Sequence, residues 1–402
     1  MKKRVLIYPC GTEIALEMWE SLRYSKHFEP IGANDVPCAW PGNYLTIEEG
    51  DLLSRLNDMI STLGVDLFLP AHDEVIEWAA LNADKFGCQV VVHPLETVQV
   101  CRSKKATYAM FPEFSPTQIT TFPMFVKPDK GNGSKGAILC ENEMQLEAQR
   151  QRWGDLVQME VLSGFEFTFD CFTDKHGKTM TEPRVRRATS NGISIESEST
   201  FAYHHTLISA ICARLKMRGA WFFQMKGGKL LEIGPRIAGS SGFFRSFGIN
   251  FTEMTLFDAL GVDIEFQDNE NGVPYQVPVY EFKTFRRLST RLTGLEFDTV
   301  YVDYDDTIMV DGKPFPELVG LLYKWHGEGK KIVIVSRNVQ DDPPFFLLDL
   351  QPDYIHCPRP EPKSRHVKFG GIFIDDSFTE REEVRENAGV PVFGLEALNM
   401  LW

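Results

Sequence analysis

At 402 residues the chain exceeds what one hydrophobic core ordinarily supports, so two or three cooperating domains are expected. With 43% hydrophobic and 24% charged residues its composition is that of a globular protein, neither disordered nor fibrous. A net charge of −14 disfavours non-specific binding to nucleic acid or anionic membrane, leaving room only for a local basic patch.

The opening MKKRVLIYPCGTE is basic and then briefly apolar, but Pro9, Gly11 and Glu13 interrupt it before a signal-peptide core is complete. No later stretch is apolar enough to span a bilayer, and a cytoplasmic protein is expected. The eight cysteines, Cys10 to Cys357, show no CxxC pair and no compact disulfide spacing, which suits a reducing compartment and speaks against zinc. Val5–Tyr8 is a short apolar run ending in Pro9, Cys10 and Gly11, and Ile14, Leu16, Trp19 and Leu22 then recur at roughly helical spacing. Further runs at Leu67–Pro70 and Val90–His93 alternate with helical segments, so residues 1–98 are expected to form a small α/β domain with a parallel sheet. Strands with glycine-rich turns follow to about Gly261, and a polar stretch at 267–278 marks a boundary. From Asp298 onward Thr299–Asp303, Lys331–Val335 and Gly371–Ile374 read as buried parallel strands.

FVKPDKGNGSKGA, residues 125–137, sets Lys127 at the end of an apolar run and then a cluster of glycines around Ser134. Glycines let backbone N–H groups approach a phosphate while the lysine supplies charge, although an ordinary hairpin with a surface lysine fits the segment as well. The ordered pieces LVQMEVLSGFEFTFD (156–170), PRVRR (183–187) and FFQMKGGKLLEIGPRIAGSSG (222–242) are more specific. Together they resemble the ATP-grasp superfamily, most closely its carbamoyl-phosphate-synthetase-like branch, over roughly residues 1–265. The resemblance implies a pre-ATP-grasp α/β domain (1–98) and an ATP-grasp domain (99–275), with ATP and Mg²⁺ as co-substrate and cofactor. It implies that Lys104, with Lys105 as fallback, and Lys127 bind nucleotide. Gly131, Gly133, Ser134 and Gly136 would form the phosphate flap, Gln158, Met159 and Glu160 would hold adenine and ribose, and Glu166 would lie near ribose and phosphates. Gln224 and Glu232 match Mg²⁺ ligands, and Arg236 matches the arginine that steadies the transferred phosphoryl group. Where the family has asparagine this chain has Gly234, with a water or Asp170 as replacement oxygen. Arg184, Arg186 and Arg187 are candidates for a substrate anion, with Arg184 favoured. His72 and Asp73 either touch ligand or close a domain interface.

DTVYVDYDDT (298–307) places Asp303 and Asp305 just after a strand, a pattern that also occurs in chemically inert turns. IVIVSRN (332–338), Lys363 in PEPKSRH and GIFIDDS (371–377) follow in order. This set resembles the haloacid dehalogenase (HAD) superfamily over residues 296–402, after a linker at 276–295. The resemblance implies a capless, HAD-like Rossmannoid α/β domain, giving an α/β and α+β multidomain chain. It makes Asp303 the nucleophile and Asp305 the acid/base, with Ser336 binding phosphoryl oxygens and Lys363, or else Lys368, neutralising charge. Asp303, Asp305 and Asp375 would ligate Mg²⁺ with help from Asp376, and Thr307 would steady the first turn.

The two resemblances together imply a bifunctional enzyme that ligates a carboxylate to an amine through an acyl phosphate, releasing ADP and phosphate, and hydrolyses a phosphate monoester. Its partners are then small molecules: a carboxylate, an amine and a phosphate ester. Two alternatives stand beside it, a nucleotide-sensing first half that regulates the phosphatase, and a nucleic-acid end phosphatase, which the acidic charge disfavours. A homodimer is left open.

Overall fold

The computed structural model describes residues 1–38, 40–47, 50–131, 133–190, 192–200, 204–266, 281–285, 289–338 and 345–402. The polar stretch at 267–278 lies outside these residues. The backbone divides into two compact units, one of residues 1–241 and 251–272, the other of 242–250 and 273–402.

The first unit opens with β1 (Lys3–Tyr8), α1 (Glu13–Leu22), β2 (Phe28–Asn34), β3 (Tyr44–Thr46), α2 (Leu52–Leu63), β4 (Leu67–Pro70), α3 (Asp73–Leu81) and β5 (Gln89–Val90). The strands form a parallel sheet in the order β3-β2-β1-β4-β5. β5 is shorter than the apolar run Val90–His93 led one to expect. Each helix starts where a side chain can replace a missing intrahelical acceptor: Thr12 accepts from Ala15 N and Asp51 from Ser54 N. α2 ends on Gly64 in the left-handed conformation. Leu6, Tyr8, Leu56 and Phe68 pack the core between sheet and helices.

Next come α4 (Leu95–Arg102), α5 (Lys104–Met110), β6 (Met124–Pro128), β7 (Ile138–Cys140), α6 (Glu143–Trp153) and β8 (Leu156–Met159). These strands form a small antiparallel sheet, β7-β6-β8. β9 (Glu166–Thr173), β10 (Thr179–Ser190), β11 (Ile193–Ser199), α7 (His205–Arg214), β12 (Gly219–Lys226) and β13 (Lys229–Gly234) build a larger antiparallel array ordered β13-β12-β9-β10-β11. Its core centres on Trp221 and on Phe169 stacked with Phe223, ring centroids 4.4 Å apart.

In the second unit the segment expected as a linker carries an antiparallel hairpin, β14 (Glu281–Phe285) with β15 (Ser289–Thr293). β16 (Thr299–Val302), the two-residue strands β17 (Met309–Val310) and β18 (Lys313–Pro314), β19 (Lys331–Ser336), β20 (Asp353–His356), β21 (Gly371–Ile374) and β22 (Val392–Phe393) follow, with helices Pro316–Gly327 and Phe378–Ala388. Five of these strands form a parallel sheet ordered β20-β19-β16-β21-β22. The chain runs outward from β16 to β20, then crosses to the other side for β21. The reversal places the carboxyl ends of β16, β19 and β21 around one crevice, where open α/β sheets bind ligands. Among the described residues no helix is long and apolar enough to cross a membrane.

Phe223 is fully buried against Phe169 and Trp221, so Phe223→Ala should cost about 3–5 kcal/mol through lost burial and a residual cavity. Phe223→Leu should cost roughly half or less. Urea unfolding of both variants measures the difference.

Candidate active sites

In the first unit the β6–β7 hairpin carries the glycine-rich segment. Lys127 on β6 is buried, its Nζ donating to the Leu231 carbonyl at 3.0 Å and lying over the Tyr108 ring. The Tyr108 hydroxyl donates to the same carbonyl at 2.9 Å. That carbonyl is free of regular pairing because the β12–β13 register slips by one residue. Met225 faces Leu230 but Gln224 faces Glu232, so Leu231 is bulged out. Burial pushes the Lys127 ammonium down to about 8; Glu232 and Glu166 hold it up and Lys104 adds to the fall. Lys104, at the start of α5, points Nζ at the carbonyls of Asp129 and Gly131, 3.3 and 3.4 Å away. Lys105, the fallback, is exposed and paired with Asp155.

The loop itself brings Gly131, Gly133, Ser134 and Gly136 between β6 and β7, with Ser134 at φ 57°. Gly192, in the β10–β11 turn, is pressed onto it: a Cβ there would lie 2.4 Å from the Gly133 carbonyl carbon. Gln158 and Met159 lie on β8 opposite Val126 and Phe125. Glu160 follows them and is tied to Thr117, whose N–H donates to Glu160 Oε1 at 2.7 Å.

Glu166, Gln224 and Glu232 come from β9, β12 and β13. Arg186 on β10 links the first two, pairing with Glu166 and donating to Gln224 Oε1 at 3.2 Å, while Gly192 O and Ser194 Oγ hold its other nitrogens. Two buried ammonium groups beside this set of oxygens could hold a polyphosphate with a hard cation. Arg236 pairs with Asp73 through two hydrogen bonds, 2.6 and 3.2 Å, and lies over the Phe222 ring at 5.0 Å. Burial works against it, yet Arg236, with help from Arg102 and His72, holds the Asp73 carboxyl down to about 2. His72 caps α3 by accepting from Glu74 N.

Three expectations change. Arg184, favoured for a substrate anion, is instead 1% exposed. Its guanidinium is occupied by Asp170 at 2.7 Å and by Ser194 and Ser197. Asp170 is thereby committed to Arg184 and does not replace the oxygen absent at Gly234. Phe222 fills that place: a Cβ on Gly234 would meet the ring at 2.1 Å. Arg187 turns outward to Glu198.

A family described as ATP-grasp in the biosynthetic pathway with Ter operon matches residues 152–280. Among solved structures the chain is similar to the biotin carboxylase domain of 2-oxoglutarate carboxylase from Hydrogenobacter thermophilus, with 14% identity, TM-score 0.56, and 70% of this chain and 74% of that one covered. It is similar to N5-carboxyaminoimidazole synthetase from Staphylococcus aureus at 13% identity and TM-score 0.54, covering 71% and 83%. L-amino acid ligase from Bacillus licheniformis gives 16% identity and TM-score 0.53, covering 70% and 79%. The chain has an ATP-grasp fold. No curated protein matches it by sequence.

Beyond the ATP-grasp region, the second unit has its own charged centre at the strand ends. Lys363 is buried and donates to Asp303 Oδ1 at 2.6 Å and Asp375 Oδ2 at 2.7 Å. Lys368, its alternative, is exposed. Carboxylate oxygens of Asp303, Asp375 and Asp376 lie within 4.8 Å of one another, a donor set suited to a hard divalent cation. Thr307 Oγ1 sits between Asp303 and Asp376, 3.3 and 3.2 Å away, and accepts from Asp376 N. Asp305 turns its carboxylate toward β19, accepting from Ser336 Oγ at 3.3 Å and Asn338 Nδ2 at 2.9 Å. Two contributors escaped the sequence reading. Asn338 follows Ser336 by two residues and could have been noticed; Arg381, one turn into its helix, donates to the carbonyls of Asp375 and Asp376 and carries no local signal.

Burial and the neighbouring Asp375 push the Asp303 carboxyl up to about 7, against the pull of Lys363. The folded state therefore holds a proton that the unfolded chain, with an ordinary value near ~4, has lost. In chelator, stability contributed by this group should fall as pH rises from about 4 through 7. Asp303→Asn should remove that component, and Mg²⁺ should offset it in the wild type. Thermal unfolding of both proteins at pH 5 and 7.5, with and without Mg²⁺, gives the comparison.

Proposed function

We propose that the chain is a bifunctional enzyme whose ATP-grasp region joins a carboxylate to an amine and whose second unit is a HAD-like phosphatase. The carrying observation is the pair of complementary charged centres. Lys104 and Lys127 are buried without a carboxylate in ion-pair contact among the described residues, whereas the second unit clusters three carboxylates, two of which share Lys363. Structures similar to the first unit include one in complex with ADP and its magnesium salt and another that is an amino acid ligase by name. These favour ATP and Mg²⁺ here.

In this reading Lys104 and Lys127 hold the nucleotide phosphates, and the 129–137 loop covers them so that water does not reach an acyl phosphate. Gln224 and Glu232 would hold Mg²⁺, which would neutralise phosphate charge; Glu166, positioned by Arg186, stands beside them. Arg236, kept charged and oriented by Asp73, steadies the transferred group. Of the β10 arginines, Arg186 rather than Arg184 reaches this region, through Glu166 and Gln224. In the second unit Asp303 attacks phosphorus. Asp305, hydrogen-bonded to Ser336 and Asn338, gives its proton to the leaving oxygen and then takes one from water to release phosphate. Lys363 offsets the charge of Asp303 and Asp375, and Mg²⁺ held by Asp303, Asp375 and the Asp305 carbonyl would offset that of the phosphate.

A second reading, a nucleotide-sensing first half, is favoured by one observation, the Phe222 ring in place of a metal-facing oxygen. Steady ADP formation that depends on an added amine would eliminate it.

Lys127→Ala should lower amine-dependent ADP formation by about 100-fold or more while leaving hydrolysis of p-nitrophenyl phosphate within about twofold. Asp303→Asn should do the reverse, abolishing ester hydrolysis. If either variant loses both activities with an unchanged circular dichroism spectrum, the two-site reading fails.

A further inference from the structure

The cysteines show no metal motif in sequence, yet the loop between β20 and β21 folds Cys357, Glu361 and His366 onto one another. One ligand atom from each, thiol sulfur, carboxylate oxygen and ring nitrogen, lies within 4.8 Å of the other two. His366 Nε2 is 3.2 Å from Glu361 Oε1; it is shielded from solvent and makes no hydrogen bond. Cys357 is fully buried, while the Glu361 and His366 side chains remain partly open, which leaves an approach for an ion.

Arg337 braces this loop. Its Nη1 donates to the carbonyls of Cys357 and Glu361 at 3.1 and 2.5 Å and faces the Cys357 sulfur at 3.5 Å. Its own charge is matched by Glu380 at 2.5 Å, so it does not leave an uncompensated cation beside the cluster. We propose that Cys357, Glu361 and His366 bind a zinc-class divalent cation as three ligands of a tetrahedral site, with water as the fourth. Bonds of about 2.0–2.3 Å place such ligand atoms roughly 3.3–3.8 Å apart, within reach of small side-chain rotations here. Thiolate and imidazole select zinc-like ions, whereas Mg²⁺ prefers the all-oxygen set at Asp303 and Asp375. The thiol gives its proton to solvent as the metal–sulfur bond forms. Thiolate, carboxylate and divalent ion then sum to zero charge, and the Arg365 guanidinium, 3.4 Å from Glu361 Oε1, lies at the exposed rim where solvent screens it. Lys363 lies inside this chelate loop, and its carbonyl accepts from the His366 N–H at 3.0 Å. The ion would thus fasten the segment that holds the Lys363 ammonium between two carboxylates.

Full-length protein freed of metal and kept reduced is titrated with Co²⁺, following the near-ultraviolet thiolate-to-cobalt charge-transfer band. The expected result is saturation at one equivalent, displacement by Zn²⁺ and persistence in excess Mg²⁺. Cys357→Ser should abolish the band, and Glu361→Gln or His366→Gln should weaken binding by about 10-fold or more. No band in the wild type, an undiminished band in Cys357→Ser, or displacement by Mg²⁺ would overturn the proposal. Should Cys357→Ser misfold, His366→Gln decides: unchanged Co²⁺ affinity rejects the site.

Discussion

Both units are organised by the cost of burying charge. A carboxylate taken out of water is tolerated only beside a cation that also satisfies its lone pairs. Asp73 with Arg236, Asp170 with Arg184, Glu166 with Arg186, and Asp303 and Asp375 with Lys363 all obey this rule. Each pair also fixes geometry. Arg186 cannot pair with Glu166 and Gln224 at once unless β9, β10 and β12 keep their register, and Lys363 cannot bridge two aspartates unless β16 and β21 end level. The pairs are weak evidence for stability, since apolar replacements can be equally stable, but they are strong constraints on position.

The β12–β13 hairpin shows how a small backbone irregularity serves the same end. Counting back from the Gly227–Gly228 turn would set Phe222 opposite Ile233 and Gln224 opposite Leu231. The one-residue slip sets Gln224 opposite Glu232 and Phe222 opposite Gly234 instead, and presents the Leu231 carbonyl to Lys127. Gly234 is then explained by packing: the Phe222 ring stands where a side chain would project, and Arg236 rests on that ring. A glycine that looks in sequence like a missing side chain is, in three dimensions, the space for a ring that forms a platform under an arginine.

This also marks what the sequence could disclose. Apolar runs such as Leu67–Pro70 and Gly371–Ile374 are visible as strands because both faces of a parallel sheet are covered. Asp303, Ser336 and Asp375 are visible because each follows such a run, and parallel strands bring their ends together. Depth is not visible. Arg184 and Arg186 lie on the same face of β10 by strand alternation and both are buried, yet one is taken up by Asp170 on β9 while the other reaches Glu166. Arg381 and the Cys357–Glu361–His366 group are equally hidden, since they depend on where a helix turn or an irregular loop returns.

The residual charge in each centre argues for what it is built to receive. Lys104 and Lys127 are held by backbone carbonyls, which orient an ammonium group without cancelling its charge; burial lowers Lys127, and Glu232 and Glu166 offset part of that fall. An anion would complement that arrangement. In the second unit Asp303 and Asp375 share one buried ammonium with Asp376 close by, and burial first, then the neighbouring Asp375, raises the Asp303 carboxyl. A divalent cation held by these carboxylates would complement that charge and favour the ionised form of Asp303. The two centres therefore differ in character: buried ammonium groups held by backbone carbonyls in one, and clustered carboxylates around a single buried lysine in the other.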